Sequence, residues 1–224
     1  MKLVIGNKNY SSWSLRPWLA LRVADIPFDE IRIPLDEPET RARLLAVSPT
    51  ARVPVLIDGD LTIWDSLAIC EYTAERFPER ALWPQHPALR ARARSIVSEM
   101  HSGFTALRRT MPMNCRSRLP GKGQTPAAMA DVARIVELWN EALLASGGPF
   151  LFGAFSIADA FYAPVTSRFV TYAVPLPPPC QRYVEAVQAL PAMVAWNAAA
   201  ASEREWIAAD EPYADRRAEP PGAL

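Results

Sequence analysis

Val53-Pro54-Val55-Leu56-Ile57-Asp58-Gly59-Asp60-Leu61-Thr62-Ile63-Trp64-Asp65-Ser66 is the stretch that decides the fold. Asp58-Gly59 stands between two apolar runs, a strong short-range sign of a β-hairpin. Asp65-Ser66 can cap the helix that follows, read from Leu67 to Phe77. Toward the N-terminus, Leu3-Val4-Ile5 closed by Gly6-Asn7 reads as a buried strand. Asn9 to Ser14 is polar and turn-like, and a helix begins at Arg16 and runs to Val23, with Pro17 in its first turn where a missing N–H costs nothing. Ile31, Ile33 and Leu35 alternate with Glu30, Arg32 and Pro34, the period-2 pattern of a half-buried strand over Phe28 to Leu35. Glu39 to Val47 is a short polar helix stopped at Ser48-Pro49. The order is β-α-β-α-β-β-α.

Toward the C-terminus, Phe77-Pro78, Trp83-Pro84 and His86-Pro87 punctuate a linker, and nothing beyond it reads as a strand. Helices are expected over Ala88 to Met111 as one long element, Ala127 to Ala145, Ile157 to Thr171, Gln181 to Leu190 and Ala192 to Ala209, with a break at Pro175 to Pro179. The expected fold class is α/β plus all-α. An α/β domain over 1–80 is followed by a helical bundle over 88–210 and a charged, Pro-rich tail over 211–224, read as mobile.

The chain has 224 residues, half of them hydrophobic, with 24 Lys+Arg against 24 Asp+Glu. A zero formal charge does not suit a nucleic-acid partner, which calls for a basic excess. Cys70, Cys115 and Cys180 are far apart and form no C-x-x-C, which suits a reducing compartment and argues against a disulfide scaffold or a zinc knuckle. His86 and His101 are too few for a multi-histidine metal site. No G-x-G-x-x-G or Walker A loop occurs among the nine glycines. The opening Met1 to Gly6 is too short an apolar run for a signal peptide, and no run approaches the ~18 apolar residues of a membrane span, so the default location is the cytoplasm.

A β-α-β unit followed by β-β-α, with proline opening the third strand, is the arrangement of the thioredoxin fold. Its redox members carry C-x-x-C at the first helix; here that place holds Ser11-Ser12-Trp13-Ser14. Exchange through resident cysteines is therefore not expected. A helix N-terminus still favours an anion. A hydrogen bond to a charged group contributes about 1.5–3 kcal/mol, and one pKa unit is about 1.36 kcal/mol. One serine hydroxyl can thus bring a bound thiol from ~8.5 toward neutrality. The same serines, taken alone, read more readily as a plain N-cap cluster.

Four segments then resemble one family. Tyr10-Ser11-Ser12-Trp13-Ser14-Leu15-Arg16 is similar to the Ser-Ser-Cys-Ser-Trp-Arg segment of zeta-class glutathione transferases. Ala51 to Leu56 resembles the cis-proline strand, Trp64 to Ile69 the segment that holds the γ-glutamyl end of glutathione, and Ser156-Ile157-Ala158-Asp159 the capping box of the helical domain. The resemblance implies that Ser11, or its neighbour Ser12, activates the glutathione thiolate. It implies that the Val53 backbone pairs with the tripeptide beside a cis Pro54. Ser66 and its N–H would take the γ-glutamyl carboxylate and Asp65 the ammonium, while Arg52 either meets the glycyl carboxylate or is a solvated arginine. Trp13, standing where the zeta motif has cysteine, walls the pocket or simply packs.

By the same resemblance the electrophile lies between the first-helix loop and the long helix after the linker. His101, Phe104, Arg108 and Met111 are its expected lining, although Phe and Met at helical spacing more often read as core, and Arg108-Arg109 more often as a solvated face. Arg168 is similar to an acid-binding arginine of the zeta class, at a different offset from Asp159. The implied activity is that of a glutathione S-transferase of the aryl/alkyl type. It would be a cytoplasmic homodimer of detoxification, using glutathione as co-substrate and no metal, acting on a small electrophile and touching neither nucleic acid nor membrane. A zeta-like cis–trans isomerase of the maleylacetoacetate type and a non-catalytic scaffold or stress protein of the same fold stand as the alternatives.

Overall fold

The computed structural model describes residues 1–214. Of the segment expected to be a mobile tail, 215–224 lies outside the described residues. The elements of the N-terminal half are β1 (Lys2–Ile5), α1 (Ser12–Val23), β2 (Asp29–Arg32), α2 (Thr40–Leu45), β3 (Val55–Asp58), β4 (Leu61–Ile63) and α3 (Ser66–Arg76). The sheet order is β2-β1-β3-β4, with β1 parallel to β2 and antiparallel to β3, and β3 antiparallel to β4. This is a thioredoxin-like domain. The hairpin closes Asp58 against Leu61, and Gly59 turns it at φ +58°, a left-handed conformation that glycine reaches without a Cβ clash.

A 3-10 turn (Pro78–Arg80) leads to the helical half: α4 (Pro87–Ser102), α5 (Thr105–Thr110), α6 (Pro126–Ser146), α7 (Ile157–Tyr172), α8 (Pro178–Gln188), α9 (Pro191–Ser202) and a 3-10 turn at Ala208–Asp210. Almost every residue of α7 is buried, as expected of a helix apolar all round at the centre of a bundle. Its N-terminus carries a full capping box. Asp159 Oδ2 accepts from Ser156 N at 2.8 Å, Ser156 Oγ accepts from Ala158 N at 3.3 Å, and Asp159 Oδ1 accepts from Leu151 N at 3.0 Å. One apolar core runs through both halves, from Leu3, Leu15 and Leu19 to Ile96, Phe161 and Trp139; a smaller cluster of Val4, Ile33, Leu44 and Val55 covers the other face of the sheet.

Three expectations are corrected. The last helix, read as Ala192 to Ala209, ends at Ser202, and only the 3-10 turn at Ala208–Asp210 follows it among the described residues. The helix read as Ala88 to Met111 is two helices, broken at Gly103-Phe104. Gly103 leaves α4 extended, in a position where a Cβ would lie 2.7 Å from Glu99 O. Phe104 takes φ +56°, and burial of its ring offsets that conformation. Arg108 Nη2 then donates to the Met100 and His101 carbonyls, which α4 leaves without partners at its C-terminus. The first helix begins at Ser12 rather than Arg16, so Pro17 lies a turn further in, and the only bond it forfeits is to Trp13 O in the first turn.

Candidate active site

Ser11 caps α1: its Oγ accepts from Ser14 N at 3.3 Å and donates to Ser14 Oγ at 2.8 Å, and Ser14 Oγ accepts from Gly6 N at 3.1 Å. The Ser11 proton is thus committed within the protein. Among the described residues the Ser12 hydroxyl takes part in no hydrogen bond, although Ser12 is largely buried. The loop that delivers these serines is pinned by the segment after α9. Glu203 accepts from Lys8 N at 2.7 Å and Asn9 N at 3.0 Å, and Arg116 donates to Tyr10 Oη at 2.5 Å.

A groove of about 680 Å³ opens beside α1, bounded by Trp13, Arg52, Val53, Pro54, Asp65 and Ser66. The Val53–Pro54 bond is cis. Sheet pairing of β3 begins at Val55, which leaves the Val53 N–H and C=O outside the ladder. Ser66 opens α3 and is 1% exposed, and its Oγ has no hydrogen-bond partner. An orphaned buried hydroxyl costs about 1–3 kcal/mol. Lying beside the free N–H groups of a helix N-terminus, it suits a carboxylate that enters from the groove.

Asp65 serves two partners. Its Oδ1 accepts from Leu67 N at 2.7 Å as the α3 N-cap, and its Oδ2 lies 3.2 Å from His101 Nε2. Arg16 Nη1 lies 3.4 Å from His101 Nδ1. A guanidinium only donates, so Nδ1 accepts and the neutral ring carries its proton on Nε2, toward Asp65. Burial is the main cause that lowers the His101 pKa; Arg16 and Arg108 lower it further, and Asp65 opposes them.

A second hollow of about 440 Å³ shares Trp13, Arg52 and Val53 with the first and reaches Ser11 and Ser12 on one side, and Arg108, Arg168 and Asp210 on the other. The Trp13 ring has the Arg16 guanidinium at 4.2 Å and that of Arg108 at 4.9 Å, both cation–π contacts. Arg168 is held by bonds from Nε to Met111 O at 2.9 Å and from Nη1 to Pro164 O at 3.1 Å. Burial lowers its pKa to about 10, with Arg108 adding to the shift. Burial also lowers that of Arg16, again helped by Arg108 and Arg168. Cations crowded in this way favour an anionic ligand.

The structure therefore gathers Ser11, Ser12, Trp13, Arg52, Val53, Pro54, Asp65, Ser66 and Arg108 around two joined hollows. His101 stands behind Trp13, its ring 5.3 Å away and edge-on. Phe104 and Met111 lie in the core and line neither hollow, because the break at Gly103 rotates the second part of the expected helix. Sequence reasoning missed Arg16 and Asp210. An arginine set between Leu15 and Pro17, just ahead of the apolar Trp18-Leu19-Ala20-Leu21 run, was a signal for the first; no local pattern marks the second.

Family models match both halves of the chain: glutathione S-transferase, N-terminal domain, over residues 10–76, and glutathione S-transferase, C-terminal domain, over residues 122–199. A maleylacetoacetate isomerase of Rattus norvegicus is 30% identical over 170 residues, 75% of this chain and 77% of that protein. A probable maleylacetoacetate isomerase of Caenorhabditis elegans is 36% identical over 96 residues, 43% of this chain and 44% of that one. In curated relatives matched over 96 and 124 residues, the chain spans about half their length. Among solved structures, a Burkholderia glutathione transferase homolog with bound glutathione superposes with a TM-score of 0.69 at 24% identity, covering 90% of this chain and 98% of that one.

Proposed function

We propose, because this chain belongs to the glutathione S-transferase family and presents an unclaimed Ser12 hydroxyl at the α1 N-terminus, that it binds glutathione, holds the thiol as a thiolate and directs it at a small electrophile. The first groove suits the tripeptide. The orphaned Ser66 Oγ and the α3 N-terminus receive the γ-glutamyl carboxylate, Asp65 the ammonium, and the Val53 main chain pairs with the cysteinyl residue. Arg52 stands at the rim for the glycyl carboxylate. Ser12 then donates its proton to the sulfur while Ser11 keeps the helix start in place. The polypeptide supplies no nucleophile; catalysis is proximity and preorganised electrostatics.

The single observation that carries this reading is the division of labour between the two serines. It is tested by titrating the protein with glutathione and following conjugation of a chloronitroaromatic by wild type, Ser11→Ala and Ser12→Ala. The expected result is binding by all three, with a rate loss concentrated in Ser12→Ala. Equal rates in all three refute the assignment, and absence of binding at millimolar glutathione favours a non-catalytic scaffold.

Arg108 and Arg168 favour a second reading of the chemistry, cis–trans isomerisation of an unsaturated acid. The thiolate adds to the activated double bond, the resulting single bond rotates, and elimination releases the isomer and regenerates glutathione. Turnover of maleylacetoacetate without loss of glutathione distinguishes it from conjugation. Family membership also carries the expectation of a homodimer, which light scattering checks. Among the described residues no helix is long and apolar enough to cross a membrane.

A further inference from the structure

We infer that Asp210 is a specificity-determining residue of the second hollow: its carboxylate opposes the arginines there and sets how strongly a small monoanionic acid is held against a neutral analogue. The inference deepens the reading above by naming the substrate class, and rests on it only in taking the second hollow as the electrophile side.

Placement comes first. Three arginines, Arg52, Arg108 and Arg168, and one carboxylate, Asp210, line this hollow beside Ser11 and Ser12. Asp210 is not on a free tail. It closes the 3-10 turn Ala208–Asp210, and its N–H donates to Ile207 O at 2.9 Å. The next residue, Glu211, accepts from Tyr10 Oη at 2.8 Å and lies 3.6 Å from Arg116 Nη2, and Tyr213 Oη donates to Thr110 O at 2.6 Å. These ties on the C-terminal side keep the carboxylate at the wall of the hollow.

Charge comes second. Arg168 on α7 attracts the Asp210 carboxylate, whereas Glu211 beside it and Asp36 from the loop between β2 and α2 repel it. Burial dominates, and the pKa is pushed up to about 6. Arg168 keeps its charge through neutrality. Across the pH range just below neutrality, the hollow's own charge therefore changes at Asp210. The other group nearby whose ordinary value lies close to this range is His101, which burial shifts downward and which is held behind Trp13 between Asp65 and Arg16. With Asp210 ionised, one of the three positive charges is offset; with it protonated, all three act on an incoming carboxylate.

The test is calorimetric titration of the full chain, without glutathione, with 4-nitrobenzoate and with neutral 4-nitrobenzamide. Wild type is expected to bind the acid about fivefold more tightly at about pH 5 than at about pH 7.5, the effect of one partly screened charge within the site. Asp210→Asn is expected to bind it at both pH values as wild type does at the lower one, and Asp210→Glu to retain the wild-type response. The amide responds to neither pH nor substitution. Equal affinity of wild type for the acid at both pH values overturns the inference, as does a pH response that survives in Asp210→Asn, which assigns the charge change to His101, or failure of the acid to bind at either pH. A matched thermal denaturation midpoint establishes that the variants are folded. Because glutathione takes no part, loss of this result leaves the glutathione reading untouched, and loss of that reading leaves this result standing.

Discussion

Replacing Ser12 by alanine removes the hydroxyl at the α1 N-terminus whose proton no protein acceptor claims among the described residues. A hydrogen bond to a charged group is worth about 1.5–3 kcal/mol. At about 1.36 kcal/mol per pKa unit, its loss raises the pKa of a bound thiol by about one to two units. The helix N-terminus remains and supplies about 0.3–1 kcal/mol, so the variant's thiol stays slightly below its free value of ~8.5. At neutral pH the thiolate fraction, and with it the rate of attack, falls about five- to fifteen-fold. Ser11→Ala behaves differently. It deprives Ser14 N of its capping oxygen and Ser14 Oγ of a partner, costing about 1–2 kcal/mol of folding stability while leaving the donor to sulfur in place. Ultraviolet titration of the thiolate in the glutathione complex, paired with thermal denaturation, measures both quantities. The reasoning is refuted if Ser12→Ala leaves the bound thiol's pKa where wild type has it, or if Ser11→Ala raises it more than Ser12→Ala does.

Ser66→Ala is expected to weaken glutathione binding about tenfold and to leave the denaturation midpoint unchanged or slightly raised, since it deletes an orphaned hydroxyl; undiminished affinity by calorimetry counts against the carboxylate site. Asp159→Ala strands the buried Leu151 and Ser156 N–H groups, and urea denaturation should register a loss of about 3 kcal/mol. A loss well under that figure means the capping box is not anchoring α7. His101 has a folded pKa below its unfolded value of 6.5, chiefly through burial. A depressed basic group contributes stability that is present above the unfolded pKa and lost as pH falls through the folded one. His101→Gln should therefore escape part of the wild type's destabilisation between about pH 7 and about pH 5, and a stability difference constant over that window contradicts the assignment.

Chain-local signals reached the thioredoxin-like half well. Asp58-Gly59 marked the hairpin, Asp65 the cap of α3, and the apolar alternation the strand that pairs with β1. These signals work because turn conformation, capping and period-2 burial are decided by residues a few positions apart. Ser11, Ser12, Val53 and Ser66 were singled out by the resemblance of their segments to the family's motifs, and the structure puts them at the start of α1, just ahead of β3 and at the start of α3. The long helix was misread at Gly103 because helical periodicity continues across it, and the break is stabilised by tertiary contacts: the burial of Phe104, the bonds from Arg108 to the α4 carbonyls and the bond from Leu107 N to Asp131.

By itself, then, the sequence determined the order of elements, the two-part architecture and the serines at the first helix. Tertiary structure decided which serine keeps a free proton, because that depends on Ser14 being fixed by Gly6 at the end of the inner strand β1. It also decided the charge of the second hollow, where Arg52, Arg108, Arg168 and Asp210 converge from four segments spread over most of the chain. A hydrogen-bond partner or a counter-charge supplied from a distant segment leaves no periodic trace along the chain, since its cause is packing between elements and not the conformation of either one.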